Sequence, residues 1–466
     1  MGSKINLRIF IGLMVFLISF YLYMVRVNLS IAILAMVPAR NDSTTSDSIE
    51  ANIDYGEKID WTLKQQGLIL GAYFWGYFCT SMPGGFLSQY FGPKKVVLAT
   101  MIISITMTVL TPYAAKWNFF ICYAARFFIG FVGAPVLPCL HHLIANWIPP
   151  TEKGRYLTLI EGTTLAVVIT WQVVGVLMKY IGYTWGGFHV PAIFAIIIAL
   201  MWQYIVYDSP DQHPRIRPDE KAFIAEALKG KVTGAGGVPP FKAIMTSLPF
   251  LALIGLHYGS QWTFFFYVTS IPKFMSEVLG FSLSTTGLLS AIPTLMKVVW
   301  GIVFAAIGDV LRKKQTIPLG RIRKYFTIVS HIVPGTLLLV VGLISNPALS
   351  VTVWSILCGF AGASTMTNLQ NNHDLAPNYA GTLYGIMNSV TITAGFISPL
   401  VVTYFTEEEN TLGNWMKVFT VASVLYYITA IIYFIFGSGE IQPWNDIKKK
   451  DETSKAEEIE KISPQN

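Results

Sequence analysis

Four ionisable side chains stand deep inside long apolar runs of this sequence: Arg26, Arg126, Glu161 and Lys297. A charge in such a run is costly unless it lines a cavity or meets a partner, so each is a candidate for chemistry by position alone. Arg26 follows a long apolar stretch and precedes Ile31 to Val37, too deep for a boundary anchor. Its planar guanidinium suits a carboxylate or a phosphate, since it can donate to two oxygens at once. Arg126 reads either as a second anion ligand or as a structural partner near one membrane face. Glu161 reads as a titrating carboxylate or as a residue reaching the interface one turn after Arg155. Lys297, in the middle of its run, either attracts an anion or pairs with a carboxylate. Three embedded cations against one acid point to an anionic ligand. His141 and His142 are adjacent, so on a helix they diverge by about 100° and cannot share a cavity. His257 and His331 are read as hydrogen-bonded structural groups.

The elements that must hold these residues are membrane helices. The chain has 466 residues, 53% hydrophobic and 13% charged, with a mean hydropathy of +0.52, more apolar than a soluble fold can hide. A hydrocarbon core takes about 20 apolar residues per helix. Spans are expected near 9–37, 67–90, 95–115, 118–145, 157–180, 187–206, 248–275, 285–308, 325–345, 349–371, 380–405 and 414–437. The first is too long for a signal-peptide core and is read as retained. A polar stretch with Pro210, Pro214, Pro218, Pro239 and Pro240 separates the sixth span from the seventh and reads as a linker. The expected organisation is a six-helix half over 1–207, a cytoplasmic linker over 208–247, a second six-helix half over 248–437 and a cytoplasmic tail over 438–466. Cys79, Cys122, Cys139 and Cys358 lie in apolar runs without C-x-x-C spacing, so neither a disulfide framework nor a metal site is expected.

Lys and Arg crowd into the segments that face the cytoplasm when the N-terminus is inside, among them Arg8, Lys94, Lys95, Lys153, Arg155 and the run Arg312 to Lys324. By the positive-inside rule both termini are cytoplasmic. The sequon at Asn41 then falls in the outer loop between spans 1 and 2, open to glycosylation. The net charge of +7 is dispersed among these loops and indicates no nucleic-acid partner. Spacings such as Gly67 with Gly71, Gly130 with Ala134 and Gly381 with Gly385 read as close helix packing. No H-E-x-x-H, G-x-S-x-G or P-loop motif is present, which leaves no enzyme signature. A seven-helix receptor disagrees with the span count.

A shift of 220 residues lays Leu63, Gly67, Leu68 and Lys94 on Leu283, Gly287, Leu288 and Lys314, so span 2 resembles span 8. Two related six-helix halves about a basic linker is the layout of the major facilitator superfamily, in which substrate sits between halves that rock in alternation. The stretch Gly308-Asp309-Val310-Leu311-Arg312-Lys313-Lys314 resembles that superfamily's cytoplasmic loop motif, which implies a conformational role for Asp309 and Arg312. In the first-half copy Gln89 and Tyr90 replace the Asp-Arg pair.

Several further motifs are similar to those of the anion:cation symporters, the family of sodium/phosphate cotransporters, sialin and the vesicular glutamate transporters. They are Arg26-Val27-Asn28-Leu29-Ser30, Gln66-Gly67-x-x-x-Gly71, Phe74-Trp75-Gly76-Tyr77 through Pro83-Gly84-Gly85, Pro138-x-x-His141 and Trp147-x-Pro149-Pro150 in the first half. In the second they are Asp374-Leu375-Ala376-Pro377, Tyr379-Ala380-Gly381, Gly385-Ile386-x-Asn388 and Ser438-Gly439-Glu440-x-Gln442-Pro443-Trp444. The likeness runs from Arg26 to Trp444 and is nearest the invertebrate branch described as inorganic phosphate cotransporters.

The resemblance implies a fold, all-α with twelve transmembrane helices in two halves, and a substrate-binding set of Arg26, Asn28, Arg126, His141 and Asn388. It implies a small anionic substrate, a monomer in a lipid bilayer, and no cofactor apart from a coupling ion. Sialin-like members carry helix 4 glutamates where this chain has Ile129 and Gly133. The vesicular glutamate transporters carry a helix 2 histidine and a helix 7 arginine where it has Leu70 and Ser260. Sodium- or voltage-driven symport is therefore expected ahead of proton coupling, with Glu161 as the coupling candidate should protons be used. The alternatives are a proton-coupled organic-anion transporter and a facilitative uniporter or channel. With no acidic dileucine signal, the plasma membrane is expected ahead of lysosomal or vesicular membranes.

This topology makes a direct prediction. A glycosidase-sensitive band shift disappears in Asn41→Gln, and a C-terminal tag stays inaccessible from outside; a persistent shift or an exposed tag contradicts it.

Overall fold

The computed structural model describes residues 6–37, 56–229, 239–280, 283–407 and 409–446. Asn41 lies outside the described residues, as does most of the tail. The described chain is helical, and nine of its segments are long and apolar enough to cross a membrane. One of the nine, Lys153–Ile205, is two rods joined at Gly182, whose φ of 74° breaks the helix. With two more polar rods, Leu63–Phe91 and Leu248–Lys273, the count among described residues is twelve. They are α1 (Leu7–Met36), α2 (Leu63–Phe91), α3 (Pro93–Trp117), α4 (Phe119–Trp147), α5 (153–184) and α6 (185–205) in the first half. The second half holds α7 (Leu248–Lys273), α8 (Leu283–Lys314), α9 (Leu319–Gly342), α10 (Pro347–Leu375), α11 (Pro377–Thr406) and α12 (Leu412–Phe436). Short helices Pro218–Leu228 and Phe241–Met245 occupy the linker.

Local chemistry sets the ends and breaks. The α2 N-terminus is a capping box: the Thr62 hydroxyl accepts from Gln65 N at 3.2 Å and Gln65 Oε1 accepts from Thr62 N at 2.9 Å. Gly92, at φ +84°, turns α2 into α3, and the Asp208 carboxylate accepts from Lys94 N at 2.7 Å to cap α3. Burial raises the Asp208 carboxyl above its ordinary range. Several rods are irregular where the halves face each other. Pro135 divides α4, a 3-10 turn at Leu159–Glu161 interrupts α5, and another at Gly362–Met366 interrupts α10.

Within the first half α1 packs on α5, and α2 and α3 on α4; within the second α8 packs on α10, and α7 and α9 on α12. The α2–α4 approach is close enough to require glycine. A Cβ on Gly130 would lie 2.0 Å from Tyr73 O, and one on Gly76 would lie 2.0 Å from Phe127 O. The reading of Gly67 and Gly71 as a packing pair is corrected here: among the described residues nothing lies within 4 Å of either Cβ position. The large apolar and aromatic side chains left exposed, including Trp117, Tyr180, Leu200, Leu400 and Tyr404, form a lipid-facing coat, with aromatic rings toward rod ends.

The halves meet at the end of the bundle that carries both termini. There α11 packs on α2 and α4, and α8 on the first turn of α5. Gly85 meets Thr382 Cα, and Gly381 meets Pro138 O, with hypothetical Cβ distances of 2.3 and 2.6 Å. At the same end Arg8 pairs with Glu152 at 2.6 Å and with Glu220 of the linker at 3.3 Å, tying α1 to the linker.

The backbone contact at Gly130 predicts that Gly130→Leu costs at least about 2 kcal/mol, because backbone cannot yield as a side chain can. Gly71→Ala is close to neutral. Thermal unfolding of both variants in detergent checks the contrast.

Candidate functional site

Arg26 lies ten residues before the outer end of α1 and is only 9% exposed, yet among the described residues no carboxylate lies within ion-pair distance. It is surrounded by rings. Its guanidinium carbon sits 4.8 Å from the Tyr23 centroid, 5.4 Å from Tyr73, 4.5 Å from Phe74 and 5.9 Å from Tyr77. Phe265 of α7, in the other half, closes the cage at 5.9 Å. Ring faces lower the cost of the buried cation without neutralising it. The cage keeps a positive charge between the halves, available to an anion.

Arg126 stands behind this cage. It is 2% exposed, and its two terminal nitrogens donate to Val25 O at 3.1 Å and Arg26 O at 2.9 Å. The structural alternative for this residue is the one the geometry displays, since it fixes the α1 backbone from which Arg26 projects. Asn28 is not brought to the cage. Its Nδ2 donates to Gly187 O at 3.0 Å and its Oδ1 accepts from Leu29 N at 2.8 Å, which locks α1 to α6. Gly133 faces Leu22 and the Tyr73 hydroxyl, so the position of the missing helix 4 carboxylate borders the cage.

His141 and Asn388 both join the halves. The His141 Nδ1 lies 3.0 Å from His373 Nε2, with the imidazole stacked 3.9 Å from the Tyr384 ring. Asn388 donates to Tyr77 OH at 2.9 Å and Ser81 Oγ at 3.0 Å. His142 turns away to Ser88 Oγ at 2.9 Å, the divergence expected of neighbours on a helix. His331 is held by Ser330 and Leu256 O. Asp309 accepts from Gly154 N at 3.0 Å and Arg155 N at 3.1 Å, joining α8 to the first turn of α5. Arg312 pairs with Asp374 at 3.1 Å, and Arg323 pairs with the same carboxylate at 2.7 Å. In the first-half copy Gln89 contacts Asn378 O and Thr382 instead.

The partner of Lys297 is Glu161. Nζ donates to the two carboxylate oxygens at 3.0 and 2.9 Å, and Thr164 Oγ1 donates to Oε2 at 2.7 Å. The pair links α5 to α8 across the halves and lines a cavity between α5, α7, α8 and α10, together with Trp171, His257 and Gln261. Sequence reasoning named both residues but did not pair them, because they stand far apart in the chain. Sequence reasoning did not find the aromatic cage either: Phe74 and Tyr77 enter it only as motif members, and Tyr23 and Tyr73 carry no local sign of a cation nearby.

The Major Facilitator Superfamily model matches residues 9–399. Vesicular glutamate transporter 1 of Xenopus laevis is 33% identical over 426 residues, covering 90% of this chain and 73% of that protein. Vesicular glutamate transporter 2 of Homo sapiens is 31% identical over 433 residues, covering 92% and 73%. Among solved structures, a proton:xylose symporter superposes with a TM-score of 0.66 at 14% identity, covering 93% of this chain and 97% of that one. The fucose:proton symporter of E. coli gives 0.60 at 13% identity, covering 91% and 98%. These two structures bear on the fold alone.

Arg126 generates the prediction here. An ammonium cannot reach both carbonyls that the guanidinium spans, so Arg126→Lys loses one charge-assisted hydrogen bond at a cost of roughly 2 kcal/mol. Lower thermal stability with a raised KM is expected. An unchanged unfolding temperature contradicts the bridging role.

Proposed function

The chain belongs to the major facilitator superfamily, and within it to the anion:cation symporter family that includes the vesicular glutamate transporters; we propose that it carries small phosphate-like or carboxylate anions by sodium- or voltage-driven symport. The coarser statement follows from membership: it is an integral multi-pass membrane protein and a secondary anion transporter. The finer reading rests on Arg26, an embedded guanidinium caged by rings, with no carboxylate beside it among the described residues, and placed between the halves. Alternating access exposes such a site to each side in turn. The inner ends are in contact here through α2, α4, α8 and α11, which suits a state closed toward the cytoplasm.

Sodium or voltage drive is favoured over protons by Ile129, which is buried and cannot titrate, and by Gly133. Glu161 is engaged by Lys297 and Thr164, which both donate to its oxygens. We place the protein in the plasma membrane. Its named relatives are vesicular, so surface biotinylation of the tagged full chain is the direct check, and confinement to internal vesicles refutes the placement.

Uptake by the purified protein in liposomes tests the transport reading, with phosphate and glutamate as probes and with sodium, proton and voltage gradients imposed separately. Accumulation under a sodium or voltage gradient is expected, and equilibration without accumulation identifies a uniporter. Arg26→Lys keeps the charge but loses the planar fork, so uptake falls by an order of magnitude or more while the protein still folds. Normal affinity in a folded Arg26→Ala variant refutes the assignment.

A further inference from the structure

The Glu161–Lys297 pair lies apart from the Arg26 cage, although α7 touches both. Phe264 packs against the Lys297 ammonium at 5.1 Å, while the next residue, Phe265, faces Arg26. Consecutive residues on a helix point about 100° apart. The two cations are therefore served by different sides of one helix.

The pair joins two bodies that must move. Lys297 is fixed to the second half, because its carbonyl oxygen is packed against Gly362 of α10, where a Cβ would come within 2.5 Å. Glu161 belongs to the first half and ends the 3-10 stretch that interrupts α5, a geometry that often marks a hinge. The side chains are 19% and 8% exposed. A buried ion pair contributes little net stability, but separating its members leaves each charge uncompensated. When the halves part around the cavity, Lys297 therefore needs a replacement anion, and Glu161 needs a replacement cation.

The cavity holds the donors that such an anion would use. With the Asn368 Nδ2 amide as donor to His257 Nδ1, 3.0 Å away, the neutral ring is assigned its proton on Nε2. That Nε2 is buried and has no hydrogen-bond partner, and His257 is 2% exposed. The indole Nε1 of Trp171 is likewise buried without a partner. Both side chains line the same cavity as Lys297, Trp171 from the first half and His257 from the second. An unpaired donor in a low-dielectric site is unfavourable until an acceptor arrives. One ammonium and two neutral N–H groups form a donor set for an oxyanion.

We propose that Lys297 is a second anion-binding position of this carrier, held by the Glu161 carboxylate as an internal stand-in until the carboxylate or phosphate group of the transported anion displaces it. His257 and Trp171 complete the oxyanion's hydrogen bonds. The displaced Glu161 then takes a coupled cation, which ties anion entry to cation entry. This deepens the transport reading above and rests on it.

The test uses the full chain, with Kd in detergent and uptake in liposomes measured for inorganic phosphate and for glutamate. Glu161→Gln removes the internal competitor, so the probe that wild type transports binds roughly tenfold more tightly, while its gradient-driven accumulation collapses. Lys297→Gln and the double variant E161Q/K297Q bind roughly tenfold more weakly, and Lys297→Arg retains binding. The charge swap E161K/K297E preserves an ion pair but moves the cation off α8, so it folds and binds as weakly as Lys297→Gln. If Glu161→Gln leaves Kd unchanged or weaker while its own unfolding temperature drops, the pair is structural and the proposal fails. Wild-type affinity in the charge swap sinks it as well, even if Glu161→Gln does not fold. Wild-type uptake that is lost in Arg26→Ala but bound with unaltered Kd in Glu161→Gln overturns this proposal alone. Absence of uptake of either probe by wild type overturns the transport reading and this proposal together.

Discussion

A guanidinium removed from water keeps its charge, since its proton affinity is too high for neutralisation to be an escape. At Arg26 the surroundings answer that charge only partly. Five aromatic rings surround it, whose faces attract a cation without cancelling it. The rest of the first half is arranged to hold this incomplete solution in place. Arg126 spends its own donors on the carbonyls of Val25 and Arg26, so the α1 backbone cannot rotate the side chain away. Tyr73 stacks on Tyr77 with a centroid separation of 5.9 Å, and its carbonyl packs against Gly130, which draws α2 against α4 behind the cage. The glycines of that contact and the chemistry of the cage are one structural fact.

The contact between the halves follows a different logic. Toward the inner ends it is largely polar and built from many small pieces, with Phe396 of α11 adding an aromatic patch against Phe74 and Trp75 of α2. Gly85 and Gly381 bring backbones together, and His141 meets His373. Asn388 bridges to Tyr77 and Ser81, and Asp309 caps the first turn of α5. Hydrogen bonds of this kind contribute about 1 kcal/mol each, because water or another donor can replace them. A large interdigitated apolar interface could not be opened and remade in every cycle. Polar bridges and close backbone contacts can be, and Gly381, Gly385 and Asn388 of the motif set lie at this interface.

The sequence made the helices legible and left the pairings hidden. Period, length and basic-residue asymmetry are local signals: the expected span at 95–115 falls inside α3, and those at 118–145 and 414–437 overrun α4 and α12 by one residue at one end. Arg26 was legible because depth in an apolar run is also local. Asn28, His141 and Asn388 were legible as motif members only, and three-dimensional neighbours decide what each does. Asn28 meets α6, whereas His141 and Asn388 meet the opposite half. Gly67 and Gly71 have the spacing of a packing motif but, among the described residues, no helix against them. Spacing can permit an approach without causing one. The cage was least legible, since a tyrosine gives no sign in sequence of whether its ring faces carbon or a cation.

The charge pattern of the deep residues is consistent once partners are known. Of the three embedded cations, Arg126 donates its terminal nitrogens to carbonyls, Lys297 pairs with Glu161, and Arg26 meets rings but no carboxylate among the described residues. The Glu161–Lys297 pair is neutral as a unit, so the excess positive charge inferred from sequence is left on Arg26 and Arg126, of which Arg26 meets a ring of the other half. Carbonyls of a fixed backbone cannot leave Arg126, so that residue is not released during a cycle in which each half moves as a body. Lys297 differs because its partner belongs to the other body. A partner on the same half would hold the cation through the whole cycle, whereas Glu161 can hold it in only one set of conformations. Placing the acid on α5 and the base on α8 makes the electrostatic state of the cavity depend on the relative position of the halves, and any charged solute that enters it acts on that position in return.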